Sequence, residues 1–338
     1  MTTFLPSSEP PATQPTPRTF GGRIGRGDRV FRSGSTMTGL AVLAIMGGVG
    51  LFLAVRAYEA LNDRGFAFFT TQNWDTNSGE FGVAAVLAFT IAIAFVAVAI
   101  AVPVSLAASL FITEVAPPKV RGTLIALVDL MAAVPSVVYG LWGRELLQGH
   151  LIPLSRWINT FLGWMPWFDV SGADPNDPFV NLSRYSASTF IAGVVVAMMV
   201  IPLQASVMRE VFSQVPSGER EGAFALGATR WGQIRAVTLP FGQGGIIGGT
   251  MLGLGRALGE TIAVVMIISP RFDFTWHVLE VGSNSISALI ALRFIEAPDF
   301  ELSGLFAAGL TLFVITLAVN FGASILVGRS RSGASSEA

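Results

Sequence analysis

The chain of 338 residues contains no cysteine, only two histidines and only one lysine. Without cysteine, neither a disulfide nor thiolate chemistry is available. The histidines, His150 and His277, both fall in segments between the apolar runs. A structural zinc site or a Ser-His-Asp hydrolase is therefore poorly supported, and we expect no catalytic residues and no metal site.

The single lysine, Lys119, follows Pro117 and Pro118. A phosphate-binding loop of the Walker type needs glycine directly before its lysine, so this chain cannot hydrolyse ATP by that chemistry. We therefore expect no enzyme activity and no cofactor on this chain. Energy from ATP would have to come through another subunit.

Charged residues are few at 13%, whereas 52% of the residues are hydrophobic, and the mean hydropathy is +0.62. This composition indicates a membrane protein. Because a helical span needs roughly 20 apolar residues, the runs predict an all-α polytopic protein with six transmembrane helices. The predicted spans are 33–55, 81–113, 122–143, 185–208, 240–270 and 302–328.

Lysine and arginine positions predict the orientation, because cytoplasmic segments carry an excess of both. With the N-terminus inside, inner segments hold 13 of the 21 Lys and Arg residues. We predict a disordered cytoplasmic tail at 1–32, rich in proline and small polar residues, and a cytoplasmic tail at 329–338. The outer segments hold 13 acidic against seven basic residues. That acidity either requires an anion to be delivered by a carrier protein or merely mirrors the orientation bias.

A polar stretch between the fourth and fifth spans reads EGAFALGATRWGQIRAVTLP from 221 to 240. It resembles the loop by which permease subunits of ABC importers dock on their ATPase: E-A-A, three residues, G, nine residues, a branched apolar residue, one residue, L-P. The matching positions are Glu221, Ala223, Gly227, Val237, Leu239 and Pro240. Gly222 replaces the first alanine. The resemblance implies that 209–240 is a coupling loop; the alternative is a simple helical hairpin. We expect its helix to begin near Ser217, which can cap it.

The fifth predicted span carries glycine at every fourth position, at Gly245, Gly249 and Gly253. Small residues at this spacing let helices pack closely in a bilayer. At 100° per residue, Arg256 and Glu260 share this stripe and are expected to point into the bundle. They lie one turn apart, and two interpretations stay open. They form a structural ion pair, or Arg256 contacts an oxyanion in transit while Glu260 limits how tightly it is held.

The third predicted span supplies further polar residues, Asp129 and Ser136, on one helical face, with Pro135 interrupting the backbone ladder. Asp129 either pairs with Arg256 or binds water near the inner end of the span. We include both residues in the predicted substrate path.

Longer segments narrow the resemblance. The sequences AVPSVVYGLWG at 133–143 and GRALGETIAV at 255–264 resemble signature segments of phosphate importer permeases. FFTTQNWD at 68–75 and VPVSLAASLFITE at 102–114 resemble the PstC-type subunit in particular. The resemblance covers nearly the whole chain after residue 28.

The resemblance implies a type I ABC importer permease fold and transport of inorganic phosphate into the cytoplasm. It also implies a PstA-type second permease, two PstB-type ATPase subunits that bind ATP and Mg, and a PstS-type binding protein outside. Arg256 and Glu260 are then the intramembrane charges near the phosphate path. Two alternatives remain: a related permease for sulfate or molybdate, and an ion-coupled secondary transporter. No nucleic-acid partner is expected.

Overall fold

The computed structural model describes residues 26–75 and 80–331. These residues form α-helices and one antiparallel hairpin, in which Trp74 pairs with Phe81. Residues 1–49 and 50–338 form two units, and in the first unit the described residues belong to a single helix. Most of the predicted N-terminal tail, and residues 332–338 of the C-terminal tail, lie outside the described residues.

The helices are numbered in chain order. They are α1 (Arg26–Arg64), α2 (Ala67–Thr70), α3 (Ala84–Leu110), α4 (Pro118–Ala133), α5 (Ser136–Trp142), α6 (Gln148–Leu162), α7 (Thr189–Ser213), α8 (Ser217–Ala225), α9 (Arg230–Gln233), α10 (Leu239–Phe241), α11 (Gln243–Gly259), α12 (Ile262–Ile267), α13 (Ile286–Arg293) and α14 (Asp299–Arg331). The strands are β1 (Trp74–Asp75) and β2 (Glu80–Phe81), and a 3₁₀ turn covers Leu182–Tyr185. π-Helical segments extend α3 (Phe111–Val115), join α5 to α6 (Gly143–Leu147) and join α9 to α10 (Ile234–Thr238).

Four helices in the described ranges are long and apolar enough to cross a membrane unbroken: Gly27–Arg64, Ala84–Val115, Thr189–Ser213 and Asp299–Gly322. They correspond to the first, second, fourth and sixth predicted spans. The boundaries of the tails differ from the prediction. Residues 26–32 and 329–331 were assigned to tails, yet they continue α1 and α14 as helix.

The third predicted span, 122–143, is not one straight helix. The chain bends by 89° between α4 and the helical stretch Ser136–Leu162. Val134 is extended, at φ −65° and ψ 129°, because the ring of Pro135 disfavours helical geometry in the residue before it. Helix then continues to Leu162, so nearly half of the segment 144–184, between the third and fourth predicted spans, is helical.

The fifth predicted span, 240–270, is also interrupted. Helix α11 ends at Gly259, Glu260 is extended at φ −67° and ψ 127°, and α12 restarts at Ile262. No proline causes this break. By length and composition, the bent third span is a fifth candidate crossing in the described ranges, whereas the fifth predicted span is not among the candidates. Non-helical backbone at membrane depth is tolerated where it is buried in protein or lines a cavity.

Helix α7 is the centre of the bundle and packs against α3 and α11. Gln204, fully buried on α7, accepts a hydrogen bond of 3.1 Å from Ser105 Oγ on α3. A buried amide without a partner is costly in an apolar interior, so this pair fixes the two helices in register.

The β1–β2 hairpin and α2 form an aromatic cluster against the start of α14. Phe81 packs edge-on against Phe68 and Trp74, with ring centroids 5.8 and 5.6 Å apart. The indole of Trp74 donates 2.9 Å to the buried carboxylate of Glu301 in the first turn of α14. An acidic side chain is favourable at a helix N-terminus.

Candidate transport and coupling sites

The two interrupted spans meet where each restarts. Helices α5 and α12 pack closely, and a Cβ added to Gly140 would lie 2.9 Å from Cα of Ala263. The backbones therefore approach as closely as glycine permits. The restarting half-helices form the centre of the candidate transport site.

Glu260 stabilises this junction. Its side chain is buried, and Oε1 accepts a 3.1 Å hydrogen bond from the backbone N–H of Ala263 in the first turn of α12. The Glu260 carbonyl accepts 2.7 Å from Ser287 Oγ on α13. No ion pair joins Glu260 to Arg256 in the described structure, so the structural ion-pair interpretation is wrong. The reason is the break itself, because Glu260 is not part of the helix that carries Arg256.

Arg256 occupies the last turn of α11 and is exposed on the single chain. The predicted stripe correctly includes the buried glycines, but the buried face continues through Ala257 rather than Arg256. Among the described residues, Arg256 has no ion-pair partner. An unpaired cation therefore lies in the last turn of α11, before the break at Glu260.

Asp129 does not pair with Arg256. Its Oδ1 lies 3.4 Å from Nη2 of Arg209, near the end of α7. Of the two alternatives for Asp129, the pair with Arg256 is therefore wrong: Asp129 lies on α4, which the 89° bend at Pro135 separates from the rest of its predicted span. Ser136 starts α5, one turn before Tyr139, and is half-buried.

The three glycines of the predicted stripe, Gly245, Gly249 and Gly253, all lie against α7. A Cβ at Gly245 would lie 2.6 Å from Cβ of Val211, and one at Gly253 would lie 2.6 Å from Cγ1 of Val200. At Gly249 the nearest atoms, Gln204 O and Met208 Cγ, are 3.3 Å away. The face that the spacing defines is thus a contact between the fourth and fifth spans.

The predicted coupling loop is helical, with α8 followed by α9 and α10. Ser217 is the first helical residue rather than the cap; the cap position is Pro216, which has no side-chain acceptor. Glu221 and Ala223 lie on α8, whereas Leu239 and Pro240 belong to α10. Between the two arms lies a cavity of about 570 Å³, whose lining includes Ala223, Leu226, Val237 and Pro240.

Gly227 has a specific backbone role. Its φ is +86°, and it follows the C-cap of α8. The N–H of Gly227 bonds to Phe224 O at 2.9 Å and the N–H of Ala228 to Ala223 O at 3.0 Å. This is a Schellman motif, which requires a left-handed residue at that position. The glycine of the docking pattern is therefore explained by conformation, which the spacing alone did not reveal.

Glu114 was not among the site residues predicted from the sequence. It lies at the end of the π-helical extension of α3, and its Oε1 lies 2.9 Å from Arg220 Nη2 on α8. The same oxygen accepts 3.2 Å from Thr238 Oγ1, which in turn accepts 2.8 Å from Gln233 Nε2. A lone carboxylate at the inner end of an uncharged span, opposite a polar loop, was the available signal.

These unbroken and interrupted apolar helices, with a polar helical segment between the fourth and fifth spans, have the fold of type I ABC importer permeases. The family model described as "Binding-protein-dependent transport system inner membrane component" matches residues 101–332. The chain is 36% identical over 313 residues to the Mycobacterium tuberculosis "Phosphate transport system permease protein PstC 2", covering 91% of this chain and 94% of that protein. It is 35% identical to PstC of Haemophilus influenzae, covering 86% and 90%. The chain therefore belongs to this transport family, and within it to the PstC-type permeases.

Solved structures agree on the fold. A chain of the inward-facing MetNI methionine ABC transporter matches with a TM-score of 0.52 at 17% identity, over 73% of this chain and 95% of that chain. A chain of a bacterial alginate ABC transporter bound to its periplasmic protein gives 0.51 at 17% identity, over 90% and 98%. The chain therefore has the fold of ABC importer permeases, and the family match makes it a multi-pass membrane component of a binding-protein-dependent transport system.

Proposed function

We propose that this chain is the permease subunit of an ATP-driven importer that carries inorganic phosphate into the cytoplasm. The observation that carries the proposal is the similarity, at 34–36% identity over about nine-tenths of the chain, to proteins named phosphate transport system permeases. The related-oxyanion alternative has no comparable support. A PstA-type permease, two PstB-type ATPase subunits and a PstS-type binding protein complete the assembly.

Arg256 is the proposed contact for phosphate in transit. A path between two permeases is lined by residues that are exposed on each single chain, and Arg256 is exposed while the next two residues, Ala257 and Leu258, are buried. Its planar fork can donate two parallel hydrogen bonds to an oxyanion. Ser136, at the start of α5, is a second polar group of the same junction. Glu260 acts by positioning α12 rather than by contacting the anion.

The coupling loop is proposed to connect this path to the ATPase. Closure of the ATPase subunits around ATP and Mg moves α8, which Glu114 joins to α3 and to the segment preceding α11. Motion of the loop therefore acts directly on the second and fifth spans. The docking side faces the cytoplasm, and both termini lie on that side.

The test is uptake into proteoliposomes that contain both permeases, the ATPase and the binding protein. We expect uptake of radiolabelled phosphate that requires internal ATP and exceeds sulfate uptake. A second set of proteoliposomes contains no ATP and is given a proton or sodium gradient instead. Gradient-driven uptake without ATP would replace the proposal with a secondary transporter, and preferential sulfate uptake would change the substrate.

A further inference from the structure

A polar pocket lies where the inner ends of α3 and α7 meet α4 and α8. Its volume is about 230 Å³. Three arginines line it, Arg121, Arg209 and Arg220, together with the hydroxyl of Ser213 and the carboxylate of Glu210. The sequence assigns this side of the membrane to the cytoplasm. The pocket is distinct from the junction beside Arg256.

The arginines have donors left over. Arg209 meets Asp129 through Nη2 only, at 3.4 Å. Arg220 meets Glu114 at 2.9 Å and the carbonyl of Phe212 at 2.8 Å, again through Nη2. Each guanidinium carries five N–H donors. Within the described residues, Nε of Arg209 and Nε of Arg220 are buried without a hydrogen-bond partner.

Arg121 differs from the other two because it has no carboxylate partner in the described ranges. Its Nη2 donates 2.8 Å to the carbonyl of Thr113, and the side chain is otherwise exposed. Thr113 itself lines the pocket, so this bond holds the guanidinium at the rim.

Three carboxylates lie in or next to this pocket. Glu210 is part of the lining, whereas Glu114 and Asp129 lie outside it and form ion pairs with Arg220 and Arg209. The formal charges of the six groups cancel, so charge alone does not select a ligand. Donor geometry does: each of the three guanidinium groups uses only Nη2 in the contacts described above, so the two N–H donors on its Nη1 select for acceptor oxygens. The matching ligand is compact, anionic and rich in acceptor oxygens, and guanidinium groups match tetrahedral phosphate oxygens in geometry.

We propose that this arginine pocket binds a phosphate group on the cytoplasmic side, supplied either by free inorganic phosphate or by the headgroup of an anionic phospholipid. A phosphate held by all three arginines would join α4, α7 and the coupling helix α8. The site thus lies where occupancy can restrain the coupling loop without touching the transport path.

The test uses the complete transporter, with both permeases and the ATPase, in phosphatidylcholine nanodiscs. One arm measures binding of radiolabelled inorganic phosphate by equilibrium dialysis. The other uses nanodiscs that contain phosphatidylglycerol and counts the lipid molecules retained by native mass spectrometry. Binding along the transport path is common to all variants, so the difference between variants isolates the pocket.

Arg121→Gln breaks no ion pair, and we expect it to weaken binding in one of the two arms by about tenfold. Arg209→Lys keeps a cation beside Asp129 but removes the planar guanidinium with its paired donors, and a weakening of about threefold is expected. The matched control is Lys119→Gln, which removes an exposed charge two residues from Arg121 on the same helix, outside the lining. Its effect should stay below about twofold, because screening weakens exposed charges at a distance.

The arm that responds identifies the source of the phosphate group. The proposal is overturned if the wild-type complex binds in neither arm, if both arginine variants bind as the wild type does, or if Lys119→Gln loses as much as Arg121→Gln. Because the assay measures binding without uptake, a transporter that imports phosphate normally but fails here overturns the pocket alone.

Discussion

Oε1 of Glu114 and Nη2 of Arg220 lie 2.9 Å apart, and this ion pair joins the second membrane span to the coupling helix. Glu114 is nearly buried, with its side chain 9% exposed, whereas Arg220 is 27% exposed. Thr238 bonds to the same carboxylate oxygen from the other arm of the hairpin. One carboxylate thus holds both arms of the loop against α3.

Glu114→Gln should loosen the coupling loop. A hydrogen bond to a charged group contributes about 1.5–3 kcal/mol, and a glutamine keeps the shape but loses the charge. We expect phosphate uptake per ATP hydrolysed to fall several-fold in proteoliposomes, with ATP hydrolysis retained. The double variant Glu114→Gln/Arg220→Gln should cost little more than either single change, since both remove the same interaction. Fully additive losses would show that the two residues act separately.

Gly227→Ala should weaken docking of the ATPase. At φ +86° an L-residue is strained by about 1–2 kcal/mol, although nothing lies within 4 Å of the added Cβ. Gly227→Asn should be milder, because asparagine visits this conformation more readily. The measurement is retention of the ATPase on the purified permease pair, together with uptake.

Gly222→Ala is the matched control for Gly227→Ala. Gly222 lies inside α8, with open space around it. Alanine there should stabilise the helix by up to about 1 kcal/mol and leave docking intact. Equal losses in both variants would mean that crowding on the docking surface, and not backbone conformation, governs the effect.

Gly140→Ala should disturb the junction of the half-helices. Its Cβ would lie 2.9 Å from the backbone of Ala263, and overpacking of this kind costs about 1–3 kcal/mol. We expect a lower unfolding temperature of the detergent-solubilised complex and slower uptake. Gly259→Ala, whose Cβ meets no atom within 4 Å, should leave both nearly unchanged. If Gly140→Ala matches the wild type in both measurements, the close approach has no importance for transport.

Arg256→Gln should lower phosphate uptake by about tenfold or more, because a charge-assisted contact is lost while the exposed side chain leaves no buried partner behind. Arg256→Lys should recover part of the uptake, since charge returns without the planar fork. Unfolding temperatures of both variants should stay close to that of the wild type. Full uptake by Arg256→Gln would remove Arg256 from the phosphate path.

The predictions from sequence were most reliable where a pattern is local. Apolar length alone identified the four unbroken spans, and the spacing of Gly245, Gly249 and Gly253 identified a face that lies against α7. They were least reliable for charge pairs. Asp129 and Glu260 were both considered as partners of Arg256, yet one bonds to Arg209 and the other to the backbone of Ala263.

Sequence by itself determined the class of this protein, since a bilayer requires long apolar helices and the docking pattern is contained within twenty consecutive residues. Tertiary structure alone decided which polar groups meet. Interruptions at Pro135 and Glu260 break the helical repeat of each span, so helical periodicity no longer predicts where the next side chain points. Ion pairs such as Glu114–Arg220 join residues far apart in the chain, and their formation depends on how helices cross, which no local pattern encodes.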